Sequence, residues 1–550
     1  MKRRAVMVAG AGAAVLTPLA GLSGCGRSAV GPAYGGGWVG ADQRRGHLLR
    51  DRGLPGPAAT TRQAAVVIVG GGVAGLACAR ALQRRGVDDV HLLELEDEAG
   101  GNARGHTMAS MACPLGAHYL PVPDPANHDL VEWLAELGLC QQQGGRWIYD
   151  ERHLCHSPQE RLFMPDRASA LGGNWIEGLL PPLAGLPKAQ RAATELAYRR
   201  FGSAIDREMK QRSFAIPTGQ TDWNLRLQAL DAQTFGDWLD HEGLNAPALR
   251  WYLDYCCRDD YGAESAQVSA WAGLHYFASR HGFERFGVER NEPASNGVLT
   301  WAEGNAWLTR KLAQPIGDRL HRARTVLRID ESIHAVNVDA FDHRTGQLER
   351  WTARQVVLAT PLFIAARLAS APSAALQAAA AALSYAPWLV ANLQLDDALH
   401  DWPGAPPSWD NVLYGSASLG YVDAMHQSTR PYAGPTVLTS YWALGGNNAA
   451  QSREARKQLL DLPWQNWAER VLAELQPAHA DLRSKVRRID LMRYGHAMCV
   501  PRPGIRGLAA LQALRTQAGR ISFAHSDLSA YSIFEEAFFH GHHVGSALQV

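Results

Sequence analysis

"AAVVIVGGGVAGLACARALQRRGVDDVHLLELE", residues 64–96, sets the architecture. Ala64–Val69 is an unbroken apolar run, the pattern of a strand buried on both faces. Three glycines interrupt it. A helical pattern follows, with Leu76, Ala79 and Leu82 on one inward stripe and Gly86 where the helix should stop. A second apolar strand then ends at Glu94. The result is a β-α-β unit with Gly70-Gly71-Gly72-Val73-Ala74-Gly75, a G-x-G-x-x-G, between strand and helix. There Gly70 permits the tight turn, Gly72 lets a diphosphate approach the backbone, and Gly75 lets helix and strand pack closely. The helix start at Val73 and Ala74 offers free N–H groups and a positive dipole end. Glu94 stands at the right distance to accept hydrogen bonds from a ribose diol. The unit binds a dinucleotide, and by itself does not separate NAD from FAD.

Beyond this unit, the chain is too long for one ordinary core, at 550 residues with a formal net charge of +1. Balanced charge without a basic run excludes nucleic acid as the main partner. The start, "MKRRAVMVAGAGAAVLTPLAGLSGCG", places Lys2, Arg3 and Arg4 before a Gly/Ala-diluted apolar stretch, so residues 1–25 read as a secretory signal. Leu22-Ser23-Gly24-Cys25 resembles a bacterial lipobox with Cys25 lipidated, and Arg3-Arg4 resembles a twin-arginine pair. The expected location is outside the cytoplasm, periplasmic or lipid-anchored at the membrane surface, by either the twin-arginine or the general route. No later run is apolar enough to span a bilayer. The other cysteines (Cys78, Cys113, Cys140, Cys155, Cys256, Cys257 and Cys499) are odd in number and form no C-x-x-C. They indicate neither a disulfide framework nor a cysteine zinc site.

Residues 26–62, rich in Gly, Pro and Arg, read as a linker without a core. Residues 121–290 read as mostly helical, and Thr234 with Asp237 as a helix cap. "VLRIDESIHAVNVDAFD" alternates as strands do, "RQVVLATP" is another buried strand, and strand character returns near "GRISFAHSD". The alternation predicts two domains assembled from separated segments. Residues 63–120, 295–361 and 486–550 would bind the dinucleotide, and 121–294 and 362–485 the substrate.

Four stretches give the chain a resemblance to the flavin-containing amine oxidase superfamily, which includes monoamine and polyamine oxidases, desaturases and protoporphyrinogen oxidases. In "LEDEAGGNARG", Gly100-Gly101 falls where that family has a Gly-Gly beside the flavin diphosphate, with Asn102 in place of its arginine and Arg104 two places later. "CPLGAHYLP", containing Gly116, Ala117 and His118, is similar to the loop that passes beside the isoalloxazine. "VVLATP" ends in Thr360-Pro361, as the family's strand near the dinucleotide does. The fourth stretch is "GRISFAHSDLSAYSIFEEAFFHGHHVGSA", similar to the family's closing strand, acidic residue and helix. The resemblance implies FAD as cofactor and an α/β fold: a Rossmann-like FAD-binding domain of the amine oxidase type with an interleaved α+β substrate domain.

The closing stretch has two readings. Glu536, His540 and His543 stand at i, i+4 and i+7 with His525 and Asp527 upstream, which is a metal-ligand set by residue type. By the resemblance, Asp527 instead bonds the ribityl–phosphate region, and Ser532 to Glu535 is a capping box opening a helix whose dipole points at the flavin. That reading places Ser532 and Ile533 at the cofactor and assigns no metal. His525 stands where relatives carry glycine.

For the substrate, the resemblance implies an amine whose C–H bond faces the flavin, with oxygen or a quinone as electron acceptor. Tyr531, Phe534 and His496 are the catalytic candidates. Arg367 stands where a lysine is expected, and no lysine occurs between Lys311 and Lys457. Asp254, Asp259, Asp260 and Glu264 in "DYCCRDDYGAES" either draw a cationic amine or form a salt-bridged helix end. Amine oxidation, desaturase-like oxidation of a lipophilic C–C unit, and a non-catalytic flavin-binding role all stay open.

Overall fold

A computed structural model describes residues 34–50, 56–166, 172–210, 214–283, 297–430, 432–516 and 519–550. The leader, Arg3-Arg4 and Cys25 lie outside the described residues. Among these residues no helix is long and apolar enough to cross a membrane.

Thr60–Val69, Val73–Arg84 and Val90–Leu93 form the expected strand, helix and strand. The two strands pair in parallel, Val66 opposite Val90 and Val69 opposite Leu93. They belong to a seven-stranded sheet. On the other side of Thr60–Val69 runs Gln347–Leu358, also parallel, with Val357 opposite Ile68. This long strand divides its remaining edge. Its first half pairs antiparallel with Val336–Asp342, and its last residues pair in parallel with Ile521–Phe523. The carboxyl ends of three parallel strands therefore deliver the glycine turn, Thr360-Pro361 and His525–Asp527 to one crevice. Open α/β sheets bind their ligands at such an edge.

The last helix, Phe534–Ala547, lies on Val73–Arg84. A Cβ on Gly541 would sit 2.0 Å from the Ala74 carbonyl oxygen, and one on Gly545 would sit 2.5 Å from that of Cys78. These two positions, one turn apart, let the backbones approach as no larger residue would. Arg85 fastens the end, donating to the carbonyls of Gly545 (2.9 Å) and Leu548 (2.8 Å).

A second sheet has eight strands, with Tyr385–Leu395 antiparallel to both Thr436–Ala443 and Val486–Cys499. One face packs on the helices Lys188–Lys210, Pro247–Tyr261 and Ala270–Tyr276 through Trp388, Val390, Phe201, Leu253 and Trp271. The other packs on Trp464–Leu475 through Leu389, Leu393, Trp467 and Val471.

Several boundaries differ from the sequence reading. Gly35–Trp38, inside the predicted linker, pairs in parallel with Val486–Cys499, and Asp42 caps a short helix after it. Val486–Cys499 itself belongs to the eight-stranded sheet, not to the cofactor sheet. Leu362–Leu368 and Ala374–Ala382, assigned to the substrate domain, pack on the cofactor sheet through Leu362, Ala365, Leu376 and Ala379. Residues 140–177, predicted helical, contain four strands. Two of them extend the second sheet: Glu160–Pro165 pairs in parallel with Asp410–Leu413, a partner some 250 residues away, and Gly173–Glu177 pairs antiparallel with Glu160–Pro165. Short segments with so distant a partner carry no local periodicity to announce them.

Candidate active site

Two cavities meet between the sheets. The larger, of about 360 Å³, follows the crevice of the seven-stranded sheet. Its wall includes Gly70, Gly72, Val73, Ala74, Glu94, Gly100, Gly101, Asn102, Ala117, Thr360, Pro361, Asp527, Ser532 and Ile533, all cofactor residues in the sequence reading. The smaller, of about 150 Å³, lies against the second sheet. Asn102, Ala117, Ala497, Ser532, Ile533 and Phe534 border both.

The larger cavity is framed mostly by main chain. The Glu94 carboxylate accepts from the N–H of Gly71 (2.7 Å) and of Glu96 (2.8 Å), which holds it at the turn although burial raises its pKa. Gly75 is required by packing: a Cβ there would lie 2.0 Å from the Gly70 carbonyl oxygen. A Cβ on Gly72 would meet only the Gly101 Cα, at 3.9 Å, so that side of the turn is open to a ligand. Asp527 accepts at Oδ2 from the Leu362 N–H (2.9 Å) and the Tyr385 hydroxyl (2.5 Å). Burial opposes its charge, but His525, Tyr385 and the Leu362 N–H outweigh burial and hold its pKa below the usual carboxylate value. Asp527 Oδ1 and Thr360 Oγ1 are buried in this wall without a hydrogen-bond partner. Buried polar atoms are seldom left so, and a ligand rich in hydroxyls and phosphate oxygens would satisfy them.

The smaller cavity is framed by side chains. His118 stacks on Tyr441 (ring centroids 4.4 Å apart) and sits edge-on to Tyr119 (4.9 Å), and Trp388 and Tyr494 complete an aromatic wall. Burial holds the His118 pKa down at about 3, so this imidazole is neutral. Opposite lie Asp259, Asp260, Arg280 and Glu535. Arg280, its side chain 6% exposed, bridges Asp260 (3.4 Å) and Glu535 (3.4 Å). Asp259 faces the cavity and accepts from the Tyr119 hydroxyl at 3.5 Å; the charge of Arg280 also favours its ionised form, though among the described residues no cation is within ion-pairing distance. Burial, then the charge of Asp260, raise its pKa to about 7.

Other sequence assignments are redistributed. Gly116 and His118 border the smaller cavity, not the larger. Arg104 lies behind the glycine pair, bonding the carbonyls of Gly101 (3.1 Å) and Gly40 (3.3 Å). Among the catalytic candidates, Phe534 borders both cavities. His496 borders only the larger, packed on Phe363 and Tyr385. Tyr531 is buried behind the wall, where its hydroxyl donates to Asp260. Ser532 does not cap the closing helix. Ile533 holds the cap position, and the Ser532 hydroxyl accepts from the Cys499 N–H at 2.9 Å. Cys499 is a buried thiol.

The histidines of the last helix turn elsewhere. His540 bonds the Ser529 hydroxyl at 2.6 Å, Glu536 accepts from the Thr218 N–H, and His543 is exposed and stacked on Phe539. Among the described residues no group of three His, Cys, Asp or Glu side chains gathers to hold a metal. Asp254 accepts from the Ser265 N–H (3.0 Å) as a helix-end partner, which divides the acidic run between two roles. Arg280, Tyr385, Trp388, Tyr441 and Glu535 were not picked out from sequence as site residues. Glu535 and Glu536 occupy the first turn of the closing helix, where carboxylates suit the dipole.

The family model for flavin containing amine oxidoreductases matches residues 73–544. The chain belongs to that family. Its cofactor is FAD, and the open glycine turn, Glu94 and the unpartnered Thr360 and Asp527 oxygens fit it. Solved structures agree on the fold at low identity. A putrescine oxidase bound to putrescine aligns at 17% identity, covering 88% of this chain and 99% of its own, with a TM-score of 0.62. Cyclohexylamine oxidase from Brevibacterium oxydans aligns at 17%, covering 89% and 98%, with a TM-score of 0.60. A fatty acid isomerase from P. acnes that produces CLA aligns at 15%, covering 88% and 99%, with a TM-score of 0.56. No curated protein sequence matches.

Proposed function

We propose that this flavin oxidoreductase oxidises an amine, bound as its ammonium ion against Asp259, to an imine that hydrolyses to a carbonyl product. The observation that carries the reading is Asp259 itself. It is a carboxyl on the wall of the smaller cavity, and among the described residues no cation lies within ion-pairing distance of it. A carboxylate taken out of water without a partner is costly, and a cationic ligand completes the pair. Asp260 and Glu535 are already paired with Arg280, which leaves Asp259 as the carboxyl open to a cationic ligand.

Bound FAD supplies the two-electron acceptor for the C–H bond next to nitrogen. Asp259 has the proton affinity to take a proton from the ammonium near neutral pH, leaving the nitrogen lone pair free to assist. Tyr119 steadies that carboxylate, and His118, Tyr441 and Trp388 exclude water from around it. The aromatic faces also favour a cation by their quadrupoles. Oxygen or a quinone as final acceptor, and export with a lipid anchor at Cys25, belong to the same proposal.

A second reading is oxidation of a lipophilic C–C unit. It draws on one observation: among the described residues no lysine borders either cavity. Anaerobic mixing of the purified flavoprotein with panels of amines and of polyenes tests both. Flavin bleaching by amines, lost in Asp259→Asn, is the expected result. Bleaching by polyenes alone overturns the amine reading.

A further inference from the structure

His525 lines the larger cavity, and no direct contact with the cofactor has been assigned to it above. Its ring orientation is set by its neighbours. Nδ1 accepts from the N–H of Asp527 at 3.1 Å, capping the short turn Ser526–Ser529, and lies 3.2 Å from Asp527 Oδ1. With Nδ1 taken up by the Asp527 N–H and carboxylate, Nε2 is the ring nitrogen left for a ligand, and it carries a proton both in the tautomer that accepts at Nδ1 and in the imidazolium that pairs with Asp527. The side chain keeps 22% of its surface exposed, and with Nδ1 turned to its own chain, the Nε2 edge is what remains towards the cavity. Nε2 has no protein partner among the described residues. Asp527 is an acceptor engaged at Oδ2, so it does not compete for a phosphate oxygen.

We infer that His525 Nε2–H donates a hydrogen bond to a phosphate oxygen of FAD and so serves as a positioning residue for the diphosphate. Complementarity across the crevice supports this choice. The open face of Gly72 and the start of Val73–Arg84 offer backbone donors to the diphosphate from one side. His525 stands two strands away, after Ile521–Phe523, with Gln347–Leu358 running parallel between that strand and Thr60–Val69. It supplies a side-chain donor from the other side. Asp527 Oδ1 is left for the hydroxyls of the ribityl chain, which can donate to it.

Equilibrium binding to the deflavinated full-length chain separates the parts of the ligand, using FAD, FMN and riboflavin as probes. A hydrogen bond to a charged group is worth roughly a tenfold or larger change in affinity. His525→Ala is expected to weaken FAD and FMN by about that factor and to leave riboflavin unchanged, and His525→Gln, which restores an N–H donor, to recover most of the loss. Equal losses for all three ligands, or none for FAD, overturn the inference. If the variants do not fold, the wild-type holoenzyme decides. A through-bond nitrogen–phosphorus coupling from ¹⁵N-labelled His525 to the FAD diphosphate is expected, and its absence with a resolved Nε2–H resonance counts against the contact.

Discussion

The two cavities share a border but are built from different materials. The cofactor cavity is mainly backbone: glycine turns, strand ends and a helix start, with Glu94 and Asp527 held by main-chain N–H groups. The smaller cavity is side chain: an aromatic wall with three carboxyls and one arginine. A backbone site tolerates no change in shape. A side-chain site tolerates substitution but responds to charge. Binding and chemistry are thus encoded in different parts of the chain, and variants can pull them apart.

The largest effect is expected at Gly75. Gly75→Ala forces a methyl group onto the Gly70 carbonyl, so the variant should purify without flavin, as read from its visible spectrum, and lose more than about 3 kcal/mol of stability. A fully flavinated Gly75→Ala would refute the backbone account. Asp259→Asn is next. It should keep its full complement of FAD and lose on the order of a hundredfold in kcat/KM for amines, the scale of removing one partner of a desolvated ion pair. Loss of flavin in this variant would show that the two cavities are not separable.

The pH response probes the same contrast. With the Asp259 pKa at about 7, amine capture should rise with pH through that value, and Asp259→Asn should abolish the acid limb of the kcat/KM profile. Stability runs the other way. The folded pKa is raised above the unfolded value of about 3.9, so between pH ~4 and ~7 the unfolded chain ionises first and the folded state loses ground. At pH 8 Asp259→Asn should therefore be more stable than the wild type, by on the order of 1–2 kcal/mol after allowance for cavity water. Equal melting temperatures at pH 8 would remove the case for a strained carboxyl. The smallest effect on stability belongs to Ser532→Ala, which deprives the Cys499 N–H of its acceptor and should cost about 1 kcal/mol, read from chemical denaturation of the holoenzyme.

What could be read from sequence follows the same division. The glycine turn and Glu94 were legible because backbone geometry demands particular residue types at close spacing, whereas Gly100-Gly101 and Thr360-Pro361 stood out through the resemblance to the family. Asp259 was visible only as one acid in a run of four, and nothing local distinguished it from Asp254, whose carboxylate ends on the Ser265 N–H. Arg280, Tyr441 and Glu535 were not legible at all. They come from three distant elements, and only tertiary packing brings them to one wall. The strands Glu160–Pro165 and Gly35–Trp38 were missed for a related reason, since each is a short segment whose partner lies hundreds of residues away.

The docking of Phe534–Ala547 onto Val73–Arg84 has a consequence for how the molecule comes into being. Gly541 fits against Ala74, and Arg85 grips Leu548, so contacts some 463 residues apart complete the crevice. During synthesis the glycine turn emerges well before Asp527, His525 and the helix that backs Val73–Arg84. A nascent chain without those later residues has half a binding site. FAD is held firmly only once they have joined it, and any change that disturbs Phe534–Ala547 should leave the protein colourless.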